Sequence, residues 1–312
     1  MYNLAFDERK YVMKIVRFKG GLGNQMFQYA FLRLLQIKYE LDDVKADFSD
    51  YSKIKGDNIR IPRIFDMQIT VDEAVQSELD RVRKFSYAGT PLSLQYKMKL
   101  LVEVIINTRY YFEWDRKYRD IDKIIRNSYF DGYWQSWKYL VDIENILRNE
   151  FCAKKEISQM SQIAIERYQN CNSVFIGVRR GDYLTNKKMI KHYGGIDFDY
   201  YKRAINYISA RISNPTFIFF SNDIEWVKEN MTRETLSIEK GAIEYREEQD
   251  IYSDFEELYV MSSCKNAIIT NSTFNFWGAW LIDNPEKIVV APGEWFKDGK
   301  KIDIVPEQWI KM

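Results

Sequence analysis

The first regular pattern along the chain predicts a strand, a glycine turn and a helix. Ile15, Val16 and Phe18 form a short apolar run typical of a strand, and the turn Gly20-Gly21-Leu22-Gly23 follows it. Asn24 is a favourable N-cap residue. Apolar side chains then recur at helical spacing on one face, at Phe27, Ala30, Phe31, Leu34 and Leu35. The helix is therefore expected to begin at Asn24.

Beyond residue 172, short apolar runs alternate with amphipathic segments. The runs predict strands at 174–178, 217–220, 267–270 and 287–290, and the segments between them predict helices at 200–213, 224–230 and 254–263. This alternation is typical of a doubly wound parallel sheet. Residues 42–139 give mixed signals and no firm elements. We expect an α/β protein with two domains facing a cleft, at 13–165 and 166–312, after a flexible extension at 1–12.

The composition indicates a globular protein without a strong net charge. Hydrophobic residues make up 46% of the chain, which is enough apolar surface to build a core. Because 46 Lys and Arg balance 45 Asp and Glu, no global field gathers a polyanion, which argues against a nucleic-acid partner. Three scattered cysteines argue against a disulfide framework or a structural zinc site. They fit a reducing, cytoplasmic compartment.

The sequence also gives an expectation about membranes. It contains no apolar run of transmembrane length, and its N-terminus lacks the pattern of a signal peptide. We therefore expect a protein that is soluble or at most peripheral to a membrane.

Three of the predicted strands lead into polar loops that suit a phosphate and a nucleoside. Ligands of open α/β sheets bind at the carboxyl ends of the strands. Paired arginines after a buried strand suit bidentate phosphate recognition, and a salt bridge between one arginine and Asp182 is the alternative. For the third loop, the alternative to an anion site is a capped helix. The loops are Arg179-Arg180-Gly181-Asp182, Ser221-Asn222-Asp223 and Asn271-Ser272-Thr273.

The glycine turn at residues 20–23 is a fourth candidate. It places backbone N–H groups at the start of a helix, where an anionic or hydroxylated ligand could bind. A purely structural left-handed turn is the alternative. The turn is not a dinucleotide fingerprint, because Met26 occupies the position of the third glycine in G-x-G-x-x-G. This argues against a nicotinamide-dependent oxidoreductase.

The remaining candidates carry less chemistry. His192 is the single histidine, so a catalytic triad or a multi-histidine metal site has little support. The D-x-D pairs at 120–122 and 197–199 are interpreted as solvated faces of helical segments. An aromatic-rich run around Trp134 and Trp137 is either a sugar-stacking platform or a packed core between the domains.

Three segments, taken in order along the chain, resemble the α-1,2-fucosyltransferases of glycosyltransferase family 11. They are residues 20–30 (GGLGNQMFQYA), 179–183 (RRGDY) and 271–280 (NSTFNFWGAW). The likeness runs from about residue 14 to about residue 292. It implies a GT-B-like fold of two Rossmann-like domains and GDP-L-fucose as the donor. It also implies metal-independent transfer, with inversion, to the 2-hydroxyl of a galactoside-type acceptor glycan.

The resemblance implies roles for individual residues. Arg179 is expected to hold the β-phosphate of the donor with Arg180 in support, in a catalytic motif that includes Asp182. A fixed guanidinium would stabilise the charge that grows on the departing diphosphate, so no metal or cofactor is expected. The loop after the second strand is expected to contact guanosine, and the loop after the third the pyrophosphate. The donor-binding positions are Gly21, Gly23, Asn24, Ser221, Asn222, Asp223, Asn271, Ser272, Thr273 and Phe274.

The sequence departs from the family pattern at two positions. Gly177 occupies the position of the histidine that precedes the two arginines, and Asn222 that of an aspartate. His192 could line the cleft, and the sequence identifies no catalytic base. Two alternatives remain: the same scaffold using another GDP-sugar, and a catalytically silent nucleotide- or glycan-binding protein. Peripheral association with the inner membrane face, through a lipid-linked acceptor, is also left open.

Overall fold

The computed structural model describes residues 13–51, 62–85, 94–180, 197–247 and 253–312. The chain divides into two compact units. Unit 1 is Met1–Lys154 with Ile302–Ile304, and unit 2 is Lys155–Lys301 with Val305–Met312. The division falls between Lys154 and Lys155 rather than near residue 165.

Unit 1 is built on a parallel sheet with the strand order β3-β2-β1-β5-β4. Short 3₁₀ turns at Arg63–Asp66, Ile121–Lys123, Trp137–Tyr139 and Val141–Ile143 complete it. Its strands are β1 (Lys14–Arg17), β2 (Val44–Asp47), β3 (Asp72–Glu73), β4 (Tyr110–Phe112) and β5 (Tyr129–Asp131). Its helices are α1 (Leu22–Lys38), α2 (Gln76–Val82), α3 (Leu94–Ile106) and α4 (Glu144–Glu150).

Unit 2 is built on a second parallel sheet with the order β11-β10-β9-β6-β7-β8. Its strands are β6 (Ser173–Val178), β7 (Thr216–Ser221), β8 (Ala242–Tyr245), β9 (Asn266–Ile268), β10 (Val289–Ala291) and β11 (Ile310–Lys311). Its helices are α5 (Gln159–Gln169), α6 (Phe198–Ser209), α7 (Ile224–Asn230), α8 (Asp254–Ser262) and α9 (Thr273–Leu281). These two Rossmann-like units confirm the predicted α/β, GT-B-like class.

Helix α5 explains why the division falls before residue 165. The hydroxyls of Ser158 and Ser161, at its start, both donate to the Glu256 carboxylate on α8, the latter over 2.8 Å. Because α5 is tied to α8 in this way, it belongs to unit 2. Ile302–Ile304 joins unit 1 by a similar local contact, since the Trp137 N–H donates to the Asp303 carbonyl over 3.0 Å.

Most of the elements predicted from apolar patterns are present, with shifted ends. Strands β1, β6, β7, β9 and β10 and helices α6, α7 and α8 each overlap their predicted ranges. The start of α1 was predicted wrongly. The helix begins at Leu22 with Gly21 as its N-cap residue, and Asn24 lies inside its first turn.

The aromatic-rich run belongs to the core of unit 1. Trp134 is fully buried and stacks on Phe31 of α1 at a centroid distance of 3.7 Å. Phe130 and Tyr139 meet the same Phe31 ring edge-on. Trp134 is thus a packed core residue within one unit, and its ring face is not open to a sugar.

Candidate functional site

In unit 2 the direction of strand addition reverses between β6 and β9. From β6 the chain adds β7 and β8 on one side, then crosses to add β9, β10 and β11 on the other. Open α/β sheets bind ligands in the crevice at the carboxyl ends of the strands at such a reversal. Arg179 and Arg180 follow β6 directly, and the loop 271–273 follows β9. The described residues of both predicted phosphate loops therefore lie at this edge of the sheet.

The guanidinium of Arg180 is held in a fixed position at this edge. Its Cζ lies 3.7 Å from the ring centroid of Trp226 on α7, a cation–π contact. Its backbone N–H donates to Asn222 Oδ1 over 3.0 Å. Nη1 is 3.4 Å from Asp223 Oδ2, which is an ion pair without hydrogen-bond geometry. Nε and Nη1 are buried and make no hydrogen bond to any described residue. These two donor groups are therefore unsatisfied in the described structure, which is unusual for a buried guanidinium.

The loop after β7 makes mainly internal contacts. Ser221 Oγ accepts from the backbone N–H of Asp223 over 3.1 Å, and the Asp223 carboxylate caps α7 by accepting from the Trp226 N–H. Asn222 joins this loop to the loop after β6. The three predicted guanosine contacts thus order the β6 and β7 loops around Arg180. Direct contact with a base stays a prediction.

The N-terminus of α9 is the second feature of the edge. Ser272 is its N-cap residue, is 6% exposed, and makes no side-chain capping hydrogen bond. The alternative of a helix capped by this hydroxyl is therefore wrong. Asn271 Nδ2 donates to the Trp295 carbonyl over 3.0 Å, which fixes the loop, and Thr273 and Phe274 begin the helix half-buried. Such a helix start attracts anions through its backbone N–H groups and its dipole.

A side chain from α9 explains the departure at Gly177. A Cβ atom at this position would lie 2.3 Å from Asn275 Oδ1 and 2.5 Å from its Cγ. Asn275 is 7% exposed, and its Oδ1 is held by the Thr270 hydroxyl at 2.8 Å. The Gly177 carbonyl accepts from Tyr201 Oη over 2.9 Å. The space beside β6 is therefore filled by an asparagine from another element.

Three predicted residues remain untested by these contacts. Asp182 and His192 lie in 181–196, outside the described residues. Arg179 is exposed at the end of β6. Among the described residues, the Asp223 carboxylate lies beside Arg180.

Unit 1 has its own reversal of strand order, between β1 and β5. The glycine turn lies there, between β1 and α1. Gly20 has a φ of +85°, so the turn is left-handed as glycine allows, and Tyr51 Oη donates to its carbonyl over 2.8 Å.

A Cβ atom at Gly21 would meet nothing within 4 Å, so a ligand can approach the backbone there. Gly23 is buried in the first turn of α1, and Asn24 Oδ1 accepts from Gln135 Nε2 over 2.8 Å.

A buried ion cluster beside the glycine turn was missed by the sequence analysis. Asp131, at the end of β5, is fully buried between Arg17 and Lys19, and its carboxylate lies 2.6 Å from Arg17 Nη1. Burial alone would raise the pKa of Asp131, but the two cations hold it well below its usual range. Lys19 also lies 4.7 Å from the ring centroid of Tyr133. The sequence feature that could have pointed to this cluster is the aromatic run 129–137, in which Asp131 lies.

The D-x-D pairs have ordinary structural roles. Asp120 accepts from the backbone N–H of Asp122 at a 3₁₀ turn, and Asp197 caps α6 by accepting from the Tyr200 N–H. Within the described ranges, no group of three or more His, Cys, Asp and Glu side chains is arranged to hold a metal ion.

Comparison with known proteins identifies relatives along nearly the whole chain. The family described as Glycosyl transferase family 11 matches residues 81–312. An Escherichia coli alpha-1,2-colitosyltransferase is 29% identical over 313 residues, covering 96% of this chain and 98% of that protein. The Escherichia coli O-antigen biosynthesis glycosyltransferase WbnK is 28% identical over 308 residues, which cover 94% of this chain and 98% of that protein. The Homo sapiens galactoside alpha-(1,2)-fucosyltransferase 1 is 28% identical over 159 residues, which cover 48% of this chain and 42% of that protein.

Proposed function

Because the chain belongs to glycosyl transferase family 11, we propose that this glycosyltransferase moves L-fucose from GDP-fucose to the 2-hydroxyl of a galactoside-type glycan, with inversion and without a metal. The α-1,2 linkage is supported by two relatives, an alpha-1,2-colitosyltransferase and a galactoside alpha-(1,2)-fucosyltransferase. The donor and the mechanism rest on the site in unit 2.

The observation that carries the proposal is the pairing of two anion-binding features at the β6/β9 edge. One is the guanidinium of Arg180, with unpaired donor hydrogens and a fixed plane on Trp226. The other is the start of α9, where the Ser272 hydroxyl does not cap the helix. A diphosphate leaving group gains negative charge in the transition state, and preorganised donors of this kind stabilise it. These donors support a proposed mechanism in which protein groups take the role that a metal has in other transferases.

Within this proposal Arg179 contacts the β-phosphate and Arg180 supports it. Ser272, Thr273 and the first N–H groups of α9 contact the pyrophosphate. The glycine turn of unit 1 offers Gly21 as a point of close backbone approach. No general base is assigned, because a dissociative transition state demands little deprotonation of the acceptor hydroxyl before the bond to the leaving group breaks.

A second donor deserves a test because one relative is a colitosyltransferase. The purified protein is incubated in the presence of EDTA with lactose or a related galactoside as acceptor. The donor is GDP-fucose, GDP-colitose or GDP-mannose, and the products are identified by mass spectrometry. A fucosylated product from GDP-fucose supports the proposal. Product from another GDP-sugar alone would correct the donor, and product that appears only when a divalent cation replaces EDTA would correct the metal-free mechanism.

The same samples distinguish an inactive protein from an unsuitable acceptor. Slow release of GDP from GDP-fucose without product shows that the donor is activated and that only the acceptor is wrong. If neither product nor GDP appears, and GDP still binds, the silent nucleotide-binding alternative is correct.

A further inference from the structure

The outer face of α3 in unit 1 is apolar and exposed. Five side chains at positions one helical turn apart form a stripe, which we call the α3 stripe. Single exposed apolar residues are ordinary, but a contiguous patch marks an interaction surface. The α3 stripe consists of Met98, Leu101, Val102, Ile105 and Ile106, which are 59%, 51%, 39%, 69% and 58% exposed.

The opposite face of α3 fixes the helix so that the stripe cannot turn inward. Leu100 is buried in a core with Ile15 and Tyr110, and Val104 packs against the same core. Glu103 is fully buried, and its carboxylate accepts the backbone N–H groups of Lys84 and Phe85 at 2.9 to 3.0 Å. Rotating the helix would break these hydrogen bonds and leave a buried carboxylate unpaired.

Two lysines border the stripe. At about 100° per residue, the stripe spans about 140° of the helix, and Lys97 and Lys99 fall on its two opposite edges. Both lysines are exposed. Glu103 is the single acidic residue of α3, and it is buried. The exposed face of α3 is thus apolar in the middle and cationic on both sides, as in helices that lie in a membrane interface.

A second copy of this chain suits the stripe less well. A helix of 13 residues is about 20 Å long, and one face of it falls short of the roughly 800 Å² that each partner buries in a standard interface. In a two-fold dimer whose axis passes through this patch, α3 packs against its own copy and offers no exposed carboxylate to pair with Lys97 or Lys99. Phosphate headgroups supply that negative charge, and acyl chains accept the stripe.

We propose that α3 docks the protein on the surface of an anionic lipid bilayer, with the α3 stripe in the acyl boundary and Lys97 and Lys99 at the headgroups. The lysine stems pack along the apolar stripe while their charges reach the phosphates. The helix lies in the interface and does not cross it. Consistent with that, no helix within the described ranges is long and apolar enough to span a membrane.

The test is vesicle flotation of the full chain. Vesicles contain phosphatidylcholine alone or phosphatidylcholine with phosphatidylglycerol. The stripe variant is Met98→Gln/Leu101→Gln/Ile105→Gln, and the charge variant is Lys97→Gln/Lys99→Gln. The matched control is Met160→Gln/Ile163→Gln on α5 of unit 2, where the side chains are 49% and 58% exposed. Light scattering gives the oligomeric state, and circular dichroism confirms that each variant folds.

The wild-type protein and the control should float with the anionic vesicles. With vesicles of phosphatidylcholine alone, both should remain at the bottom of the gradient. The stripe variant should lose at least about tenfold in lipid partitioning. The charge variant should lose roughly fivefold for each lysine, and added salt should reproduce that loss. All variants should transfer sugar to a soluble oligosaccharide at the wild-type rate, so failure of the proposed function would not be mistaken for failure of docking.

Three results would overturn the docking proposal. The first is wild-type protein that stays at the bottom of the gradient with anionic vesicles at low salt. The second is a stripe variant that floats as well as the wild type. The third is a wild-type dimer that the stripe variant converts to a monomer without any lipid binding, which would assign the stripe to self-association.

Discussion

The side chain of Asn275 fills the space in which a Cβ atom at position 177 would lie. The distance from that Cβ position to Asn275 Oδ1 is 2.3 Å, and the Thr270 hydroxyl holds the asparagine from the other side. The residue types at positions 177 and 275 therefore depend on each other, because the asparagine side chain occupies the space beside the glycine. A larger side chain at position 177 would overlap Asn275, and this packing ties the end of β6 to the first turn of α9.

Gly177→Ala should cost about 1–3 kcal/mol in the free energy of unfolding, because the buried Asn275 cannot move aside freely. Asn275→Ala removes the obstacle, so the double variant should cost less than the two single changes added together by at least about 0.5 kcal/mol. Urea denaturation of the four proteins measures this coupling. Gly21→Ala is the control: its φ is −80° and its Cβ meets open space, so it should cost below about 1 kcal/mol. Strictly additive costs would refute the pairing.

Arg180→Lys should weaken GDP binding about tenfold although the charge is kept, because lysine lacks both the planar fork and the stack on Trp226. Arg180→Ala should weaken it further, to roughly 100-fold, the scale of a lost charged hydrogen bond. Isothermal titration calorimetry with GDP measures both. Arg211→Lys is the matched control, since Arg211 stacks on Tyr207 at 3.5 Å just after α6, near the amino end of β7. Equal affinity for the Arg180→Lys protein and the wild type would contradict the role of the fork.

Asp131→Asn should destabilise the protein by about 3 kcal/mol, because Arg17 and Lys19 lose a buried counterion. Since the pKa of Asp131 is held below its usual range in the folded state, the pairing contributes fully above the unfolded pKa near 4 and is lost as pH falls further. The difference from wild type should therefore be constant between about pH 7 and 5 and shrink below about pH 4.

Urea midpoints at several pH values give that difference. Asp142→Asn serves as the control, because the Lys38–Asp142 pair is about half exposed and should contribute below about 1 kcal/mol. A cost for Asp131→Asn as small as the control's would show that the buried cluster is not stabilising.

Lys14 should make stability rise with pH. Burial lowers the pKa of Lys14 to about 8, although its ammonium donates to the Ile125 and Asn127 carbonyls. The folded state thus releases this proton more readily than the unfolded chain, and between about pH 8 and 10.5 stability increases with pH. Relative to Lys14→Met, the wild type should gain on the order of 2 kcal/mol from about pH 7.5 to 9.5.

Tyrosines with raised pKa values are present in both proteins of that comparison and cancel. Lys38→Met, at a half-exposed lysine whose pKa is raised, should show no such gain relative to wild type. Parallel stability curves for wild type and Lys14→Met would disprove the burial effect at this lysine.

The apolar pattern of the sequence determined the elements whose signal is local. Strand β6 is a run of six buried residues, and its prediction was nearly complete. The edge at which the arginines and the 271–273 loop meet also followed from sequence, because strands of a doubly wound sheet end on the same side. Strands β2 to β5 have two to four residues, and charged residues interrupt β2, β3 and β5, so no apolar run marked them.

Tertiary structure alone decided the features that depend on residues far apart in the chain. Asn24 looks like an N-cap, but its side chain bonds to Gln135, and the helix starts at Leu22 instead. Asp131 looks like a surface charge until β5 pairs with β1 and places it beside Arg17. Apolar periodicity predicts a buried face, and only the packed structure distinguishes the buried face of α3 from its exposed one. Periodicity reports which residues share a face, whereas burial, pairing and charge compensation depend on what the fold brings against that face.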